Sequence, residues 1–137
     1  MFRFSIHSPA GTYFDGDIEE VVLPTEKGPT AIQEGYTPII IACLKQGVLR
    51  MKTEKATFYF AIFDGVCRVE KEKTVLICGD VENGKDIDMA RALASRDRAL
   101  DRIQKKDEGV DLIRAQASLR RALARIDAKK LYEGGAL

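Results

Sequence analysis

The chain has 137 residues, of which 45% are apolar, and a formal net charge of +1. That fits one soluble domain or a small domain with an appendage, and the net charge says nothing about partners until it is divided along the chain. The longest apolar run, Ile39-Ile-Ile-Ala-Cys-Leu44, is far short of the ~20 residues a membrane-spanning helix needs. The first eleven residues, which include the polar His7, have no apolar stretch leading to a cleavage site, so no secretory signal is expected. Three cysteines (Cys43, Cys67, Cys78) share no metal-type spacing and all lie in strand-like runs, which points to buried thiols in a reducing compartment and to no metal site.

The modest net charge hides two unlike halves. Residues 1–84 contain all four prolines, 9 basic and 12 acidic side chains; residues 85–137 contain 13 basic and 9 acidic side chains and eight of the eleven arginines. A split of that kind predicts two modules, 1–84 and 85–137, with different partners.

The first module reads as β. Phe2, Phe4 and Ile6 alternate with polar residues, and Ile18–Leu23 forms an apolar-rich run ending at Pro24. Thr37–Leu44 and Val48–Lys52 flank a hairpin-like Lys45-Gln-Gly47. Thr57–Phe63, Val66–Val69 and Thr74–Cys78 follow, separated by Asp64-Gly65 and a Lys/Glu cluster. Short strands with closely spaced turn signals predict an antiparallel sandwich or barrel, with Ile39–Leu44 as a strand buried on both faces. His7 has no visible nucleophile or second histidine beside it, so this module reads as a scaffold with no catalytic residues.

Cys78–Ala92 resembles a phosphate-binding loop in its spacing: Gly79, four residues, then Gly84-Lys85. Asp86 stands where a magnesium-binding hydroxyl is required, and Asp80 and Glu82 would oppose a triphosphate. The segment therefore reads as a hinge between the modules.

The second module reads as two helices built from a repeat. Residues 87–103 and 110–126 are identical at ten of seventeen positions. Asp107 and Gly109 suit a cap and a turn between them, so an antiparallel hairpin is predicted. At about 100° per residue, Arg91, Ser95, Arg98 and Arg102 share a face beside Asp88, as do Arg114, Ser118, Arg121 and Arg125 beside Asp111. Met89, Leu93, Leu100 and Ile103 stand roughly opposite, and Leu112, Leu119, Leu123 and Ile126 repeat that stripe, with alanines at the borders. The arginine ridges admit two readings. One is an anion-binding surface, since guanidinium suits bidentate contact with phosphate; the other is a solvated face with local Arg–Asp pairs. Nucleic acid is not expected, because Tyr132 is the module's only aromatic residue.

In the order and spacing of several segments the chain resembles the epsilon subunit of the F-type, proton-translocating ATP synthase. These are Val22-Leu-Pro-Thr-Glu26, Gly47-Val-Leu-Arg50, the strand before Gly79 and Ile87-Asp-Met-Ala-Arg-Ala92. The resemblance implies a flattened N-terminal β-sandwich over 1–84, holding the gamma subunit and the membrane rotor ring of c subunits. It implies a regulatory two-helix hairpin over 85–137. When extended, that hairpin meets an acidic segment of the alpha/beta catalytic head, here through Arg114, Arg120, Arg121, Arg125, Lys129 and Lys130. Some bacterial members bind ATP on the folded hairpin; the matching positions are Glu82, Ile87, Asp88, Arg91, Ala92, Arg98, Arg121 and Arg125. The implied role is a non-catalytic rotor subunit, peripheral on the cytoplasmic side of a bacterial plasma membrane. It needs no cofactor, and ATP is at most a regulatory ligand. Thr30-Ala-Ile-Gln-Glu-Gly-Tyr36 and Phe63-Asp-Gly65 depart from the family's usual turns, which bears on partner contacts. A free-standing nucleotide-sensing module whose hairpin closes on ATP is the alternative reading.

Overall fold

A computed structural model describes residues 1–43, 45–105 and 111–134. Leu44, the expected cap Asp107 and turn residue Gly109, and the C-terminal 135–137 lie outside the described residues. The N-terminal part is a sandwich of two five-stranded sheets. The first runs in the order β2 (Gly11–Ile18), β1 (Phe2–Ser8), β9 (Lys73–Ile77), β8 (Val66–Val69), β5 (Ile39–Ala42). The second runs β10 (Asp80–Asn83), β7 (Thr57–Phe63), β6 (Gln46–Lys52), β3 (Glu20–Thr25), β4 (Gly28–Gln33). The pairings are antiparallel except that of β1 with β9. Alternate side chains from both sheets fill the space between them, with Phe4, Ile6, Ile18, Val21, Leu23, Leu49, Ile62 and Leu76 fully buried.

Three expectations about the strands need correction. Ile18–Leu23 is not one strand: β2 ends at Ile18, β3 begins at Glu20, and Pro24 lies inside β3. The proline is tolerated because β3 pairs with β6 only from Glu20 to Val22. Beyond that point Pro24 packs on Gly47, where any Cβ would lie 2.6 Å from the Pro24 Cβ. Second, Ile39–Leu44 is not buried on both faces: β5 is an edge strand with Ile40 69% exposed. Third, Gly79–Lys85 is not a free loop. Asp80–Asn83 is strand β10, paired with Phe60–Phe63 of β7, and Gly84–Asp86 forms a 3-10 turn. Backbone committed to a sheet cannot fold around a phosphate.

Two helices follow, α1 (Met89–Lys105) and α2 (Leu112–Gly134). Each is capped by the aspartate that the repeat places before it. Asp88 Oδ1 accepts from the Arg91 N–H at 3.2 Å, and Asp111 Oδ1 accepts from the Arg114 N–H at 3.1 Å. The apolar stripes carry only part of the helix packing: Ile126 is buried, and Met89 and Leu93 pack against its cluster. The most buried helix residues are Ala92 and Ala99 of α1 and Ala115, Ala122, Ala124, Ile126 and Ala128 of α2. Leu100 and Leu123 stay exposed. Small side chains let backbones approach closely, so the alanines became the contact surface rather than its border. Ala92 packs in one cluster with Ala124 and Ile126, so the start of α1 lies beside the later half of α2 and the pair is antiparallel.

The α2 helix lies on the second sheet through β7 and β6 and touches the 3-10 turn. Ala61 and Phe63 of β7 and Ile87 join Ala124, Ile126 and Ala128 in a second core. Gly84 marks the closest approach: a Cβ there would sit 2.5 Å from the Ala128 carbonyl oxygen and 3.0 Å from that of Tyr59.

Candidate functional site

A hollow of about 360 Å³ opens where β10, the 3-10 turn, the start of α1 and α2 meet. Glu82, Asp86, Ile87, Asp88, Arg91, Ala92, Ser95 and Arg125 line it. The local fold explains the convergence. The end of β10 presents Glu82, the turn presents Asp86 and buries Ile87, and the first turns of α1 carry Arg91 and Ser95 on one face, with Ala92 leaving room beneath them. Arg125 reaches in from α2, and its Nε donates to Glu82 Oε2 at 2.6 Å.

Of the eight residues expected to hold ATP, six line this one hollow: Glu82, Ile87, Asp88, Arg91, Ala92 and Arg125. Arg98 and Arg121 do not. Arg98 Nη2 donates to Ser95 Oγ at 3.1 Å, and the Arg121 guanidinium lies 5.6 Å from the centre of the Phe63 ring. Arg125 stacks on the same ring at 5.3 Å, so one buried phenylalanine at the end of β7 carries two cations. Sequence reasoning missed Asp86, which it weighed only against a phosphate-loop hydroxyl. It placed Ser95 on the arginine face without giving it a role.

The charge in the hollow is mixed. Glu82, Asp86 and Asp88 bring carboxylates, while Arg91 and Arg125 bring planar cations. The Glu82–Arg125 pair is only partly shielded, with side-chain exposures of 36% and 29%. Such a pair can open to let each partner take a new ligand.

The basic residues expected to meet a catalytic head are mostly engaged internally. Arg120 Nε donates to Gln46 Oε1 at 3.1 Å, and Lys129 Nζ donates to the Lys85 carbonyl at 3.1 Å. Arg121 and Arg125 lie on Phe63. Arg114 and Lys130 are exposed.

The outer face of the first sheet is different. Register aligns Ala42, Val66 and Ile77 across β5, β8 and β9, with Ile40 one step along. Ile40, Ile77 and Val66 are 69%, 57% and 48% exposed, apolar side chains on one face, with Arg68 directly opposite Ile40. Beside it, His7 has partners that the sequence reading did not see. Ser5 Oγ lies 2.9 Å from His7 Nε2, and Thr12 Oγ1 lies 3.2 Å from Nδ1. Residues two apart on a strand share a face, which is why Ser5 reaches the ring.

The three thiols are free. Burial pushes the Cys67 thiol up to about 12 and those of Cys43 and Cys78 up to about 11. Among the described residues there is no cluster of three His, Cys, Asp or Glu side chains arranged for a metal, and no helix long and apolar enough to cross a membrane.

Residues 1–84 match the family model of the ATP synthase delta/epsilon chain, beta-sandwich domain, and residues 85–130 match that of its long alpha-helix domain. The ATP synthase epsilon chain of Bacillus velezensis is 34% identical over 106 residues, covering 77% of this chain and 80% of the relative. That of Staphylococcus aureus is 32% identical over 109 residues, covering 79% and 81%. In fold, the chain is similar to one in the Euglena gracilis mitochondrial ATP synthase, with a TM-score of 0.78 at 14% identity over 96% of this chain and 80% of the other. Two adjoining family models spanning nearly the whole sequence, together with relatives above 30% identity along most of their length, establish that the chain belongs to the delta/epsilon-chain family of the ATP synthases, as an epsilon-type member.

Proposed function

We propose that the chain is a non-catalytic subunit of the turning central stalk, and that it regulates ATP hydrolysis through the position of its helical hairpin. The observation that carries this reading is the unequal treatment of the sandwich's two faces. The second sheet holds α2, while the first leaves Ile40, Val66 and Ile77 in solvent. The open face suits a permanent apolar partner, and the gamma subunit fills that role. The rotor ring of c subunits meets the sandwich as well, which sets the chain peripherally on the cytoplasmic side of a bacterial plasma membrane.

The hairpin is stored in this arrangement. Arg120, Arg121, Arg125 and Lys129 contact the sandwich or the turn, so they meet an acidic segment of the alpha/beta head only after α2 leaves the sheet. ATP in the hollow favours the stored state. Its phosphates draw Arg91 and Arg125 together, and its adenine and ribose supply hydrogens for the carboxylates. Because the hollow is built from β10, the turn and both helices, it exists only when the hairpin is folded. That gives ATP the differential affinity a switch requires.

Co-expression with a gamma subunit tests the stalk assignment. The chain is expected to co-purify with gamma, and Ile40→Asp with Ile77→Asp to abolish capture while leaving the monomer folded. A folded chain that ignores gamma but binds ATP would instead support the free-standing nucleotide sensor.

A further inference from the structure

We infer that Asn83 is a self-modifying site gated by the docked hairpin. It is closed to deamidation while α2 lies on the 3-10 turn and open once α2 leaves, and its isoaspartate product does not let α2 return. Asn83 is the chain's only asparagine, and Gly84 follows it. With no Cβ to hinder or restrict it, a glycine nitrogen is the one that most readily attacks a preceding side-chain amide. The only co-reactant is water. Gly84 N bonds to Asn83 Cγ and loses its proton, and Nδ2 leaves as ammonia, closing a five-membered imide. Water that opens the imide at Cγ gives aspartate. Water that opens it at the backbone carbonyl gives isoaspartate, whose main chain runs through the side chain and is one carbon longer.

The docked state holds this ring open. Asn83 has φ −70 and ψ 129, extended backbone that turns Gly84 N away from Cγ, whereas closure needs the two side by side. Its Oδ1 accepts from the Lys85 N–H at 3.0 Å. Its backbone ends β10, paired with Phe60 of β7. Gly84 is wedged between carbonyl oxygens of Ala128 and Tyr59, 2.5 and 3.0 Å from where a Cβ would stand, so it has no room to swing towards the amide. The α2 helix supplies part of that cage, through the Ala128 carbonyl and through Lys129 Nζ on the Lys85 carbonyl at 3.1 Å. Once α2 leaves, Asn83 is the last residue of an edge strand, the kind of segment that opens locally.

The two products differ in consequence. Aspartate keeps an oxygen for the Lys85 N–H. Isoaspartate lengthens the chain just before a gap too tight for one more carbon, so Gly84 is displaced and α2 has no seat. The inference requires only that α2 leaves the sheet at times; it stands whether or not the hairpin regulates hydrolysis or binds a nucleotide.

Peptide mapping of the full chain, aged in mildly alkaline buffer, tests the gate by separating the asparagine, aspartate and isoaspartate forms. A synthetic peptide spanning Val81–Asp88 sets the ungated rate. The intact chain should convert at least tenfold more slowly, since a minor undocked state is about 0.1–10% populated. Ala128→Glu puts a carboxylate at a fully buried position of α2 and should bring the rate close to that of the peptide. Lys129→Ala removes only the clasp on the Lys85 carbonyl and should raise the rate less. Circular dichroism checks that each variant is folded, and if Ala128→Glu is not, Lys129→Ala decides. Equal rates in the intact chain and the peptide overturn the gate, as does unchanged conversion in the folded variants. In the purified isoaspartate form, the Ala124 and Ala128 methyl signals should stand at solvent-exposed positions; docked positions there overturn the block on return.

Discussion

Gly84→Ala should release the hairpin from the sandwich without unfolding either part. The added Cβ would stand 2.5 Å from the Ala128 carbonyl oxygen on α2 and 3.0 Å from that of Tyr59 on β7. The first contact is about 1 Å inside a comfortable carbon–oxygen separation. Both obstacles are backbone atoms, so neither can rotate away. Gly84 is not among the residues with positive φ, so alanine suits the turn itself and the cost is steric alone. Forcing one carbon into a packed contact costs about 1–3 kcal/mol. Docking rests on the buried cluster of Ala61, Phe63, Ile87, Ala124, Ile126 and Ala128, with part-exposed contacts of modest worth from Arg125 on Glu82, Lys129 on the Lys85 carbonyl and Arg120 on Gln46. A penalty of that size shifts the docked-to-undocked ratio by about 5- to 150-fold.

Methyl spectra of protein labelled at alanine would read the outcome residue by residue. Ala124 and Ala128, which face the sheet and the turn, should move towards solvent-exposed positions. Ala99 and Ala115, buried without joining that sheet-side cluster, should keep their shifts because the hairpin stays intact. Unchanged Ala124 and Ala128 methyls would refute the steric argument. Collapse of the whole spectrum would show that Gly84 serves folding of the sandwich rather than docking.

Other outcomes follow from the same contacts. Arg125→Ala removes the partner of Glu82 and one cation of the hollow, so ATP affinity should drop about tenfold by calorimetry. Asp88→Ala should cost about 1 kcal/mol in urea unfolding through loss of the α1 cap, whereas Asp88→Asn keeps a capping oxygen and should preserve stability. Any loss of ATP binding in Asp88→Asn then belongs to the carboxylate as a ligand. The thiols make an alkaline prediction. Folding raises the Cys67 value from 9.0 to about 12 and those of Cys43 and Cys78 to about 11. The folded chain therefore holds these protons longer, and the associated stability is complete below pH 9 and lost as pH rises towards 11–12. Urea midpoints should fall across that window, and alkylation at pH 8 should be slow until the chain unfolds.

The sequence exposed the parts of this molecule that repeat or alternate. Interior strands such as Thr57–Phe63 and Thr74–Cys78 were visible because packing on their neighbours demands apolar residues. Edge strands were not. Gly11–Ile18 has two glycines and two aspartates, Gly28–Gln33 has a proline, and Asp80–Asn83 read as part of a hinge. At an edge, pairing on one side and partial burial leave weak demands on composition. The error at Ile39–Ala42 has the opposite origin: its apolar character serves a face that stays open in the isolated chain, so it reads as core. In the helices, periodicity located the faces but ranked them by hydrophobicity, whereas close approach selected the alanines. Six of the expected nucleotide residues converge because the same repeat and the same strand end position them. Arg98 stands one helical turn away from the lining of the hollow, with its guanidinium donating to Ser95 Oγ.

Reconstitution measures directly whether the stored hairpin of this rotor subunit responds to ATP. An alpha/beta/gamma catalytic head from a bacterial ATP synthase would be assayed for ATP hydrolysis with and without this chain, across micromolar to millimolar ATP. The chain is expected to be retained through gamma, to slow hydrolysis at low ATP, and to lose that effect as ATP rises and holds α2 against the sheet. Hydrolysis that is the same at every ATP concentration, with the chain bound to gamma, would contradict it.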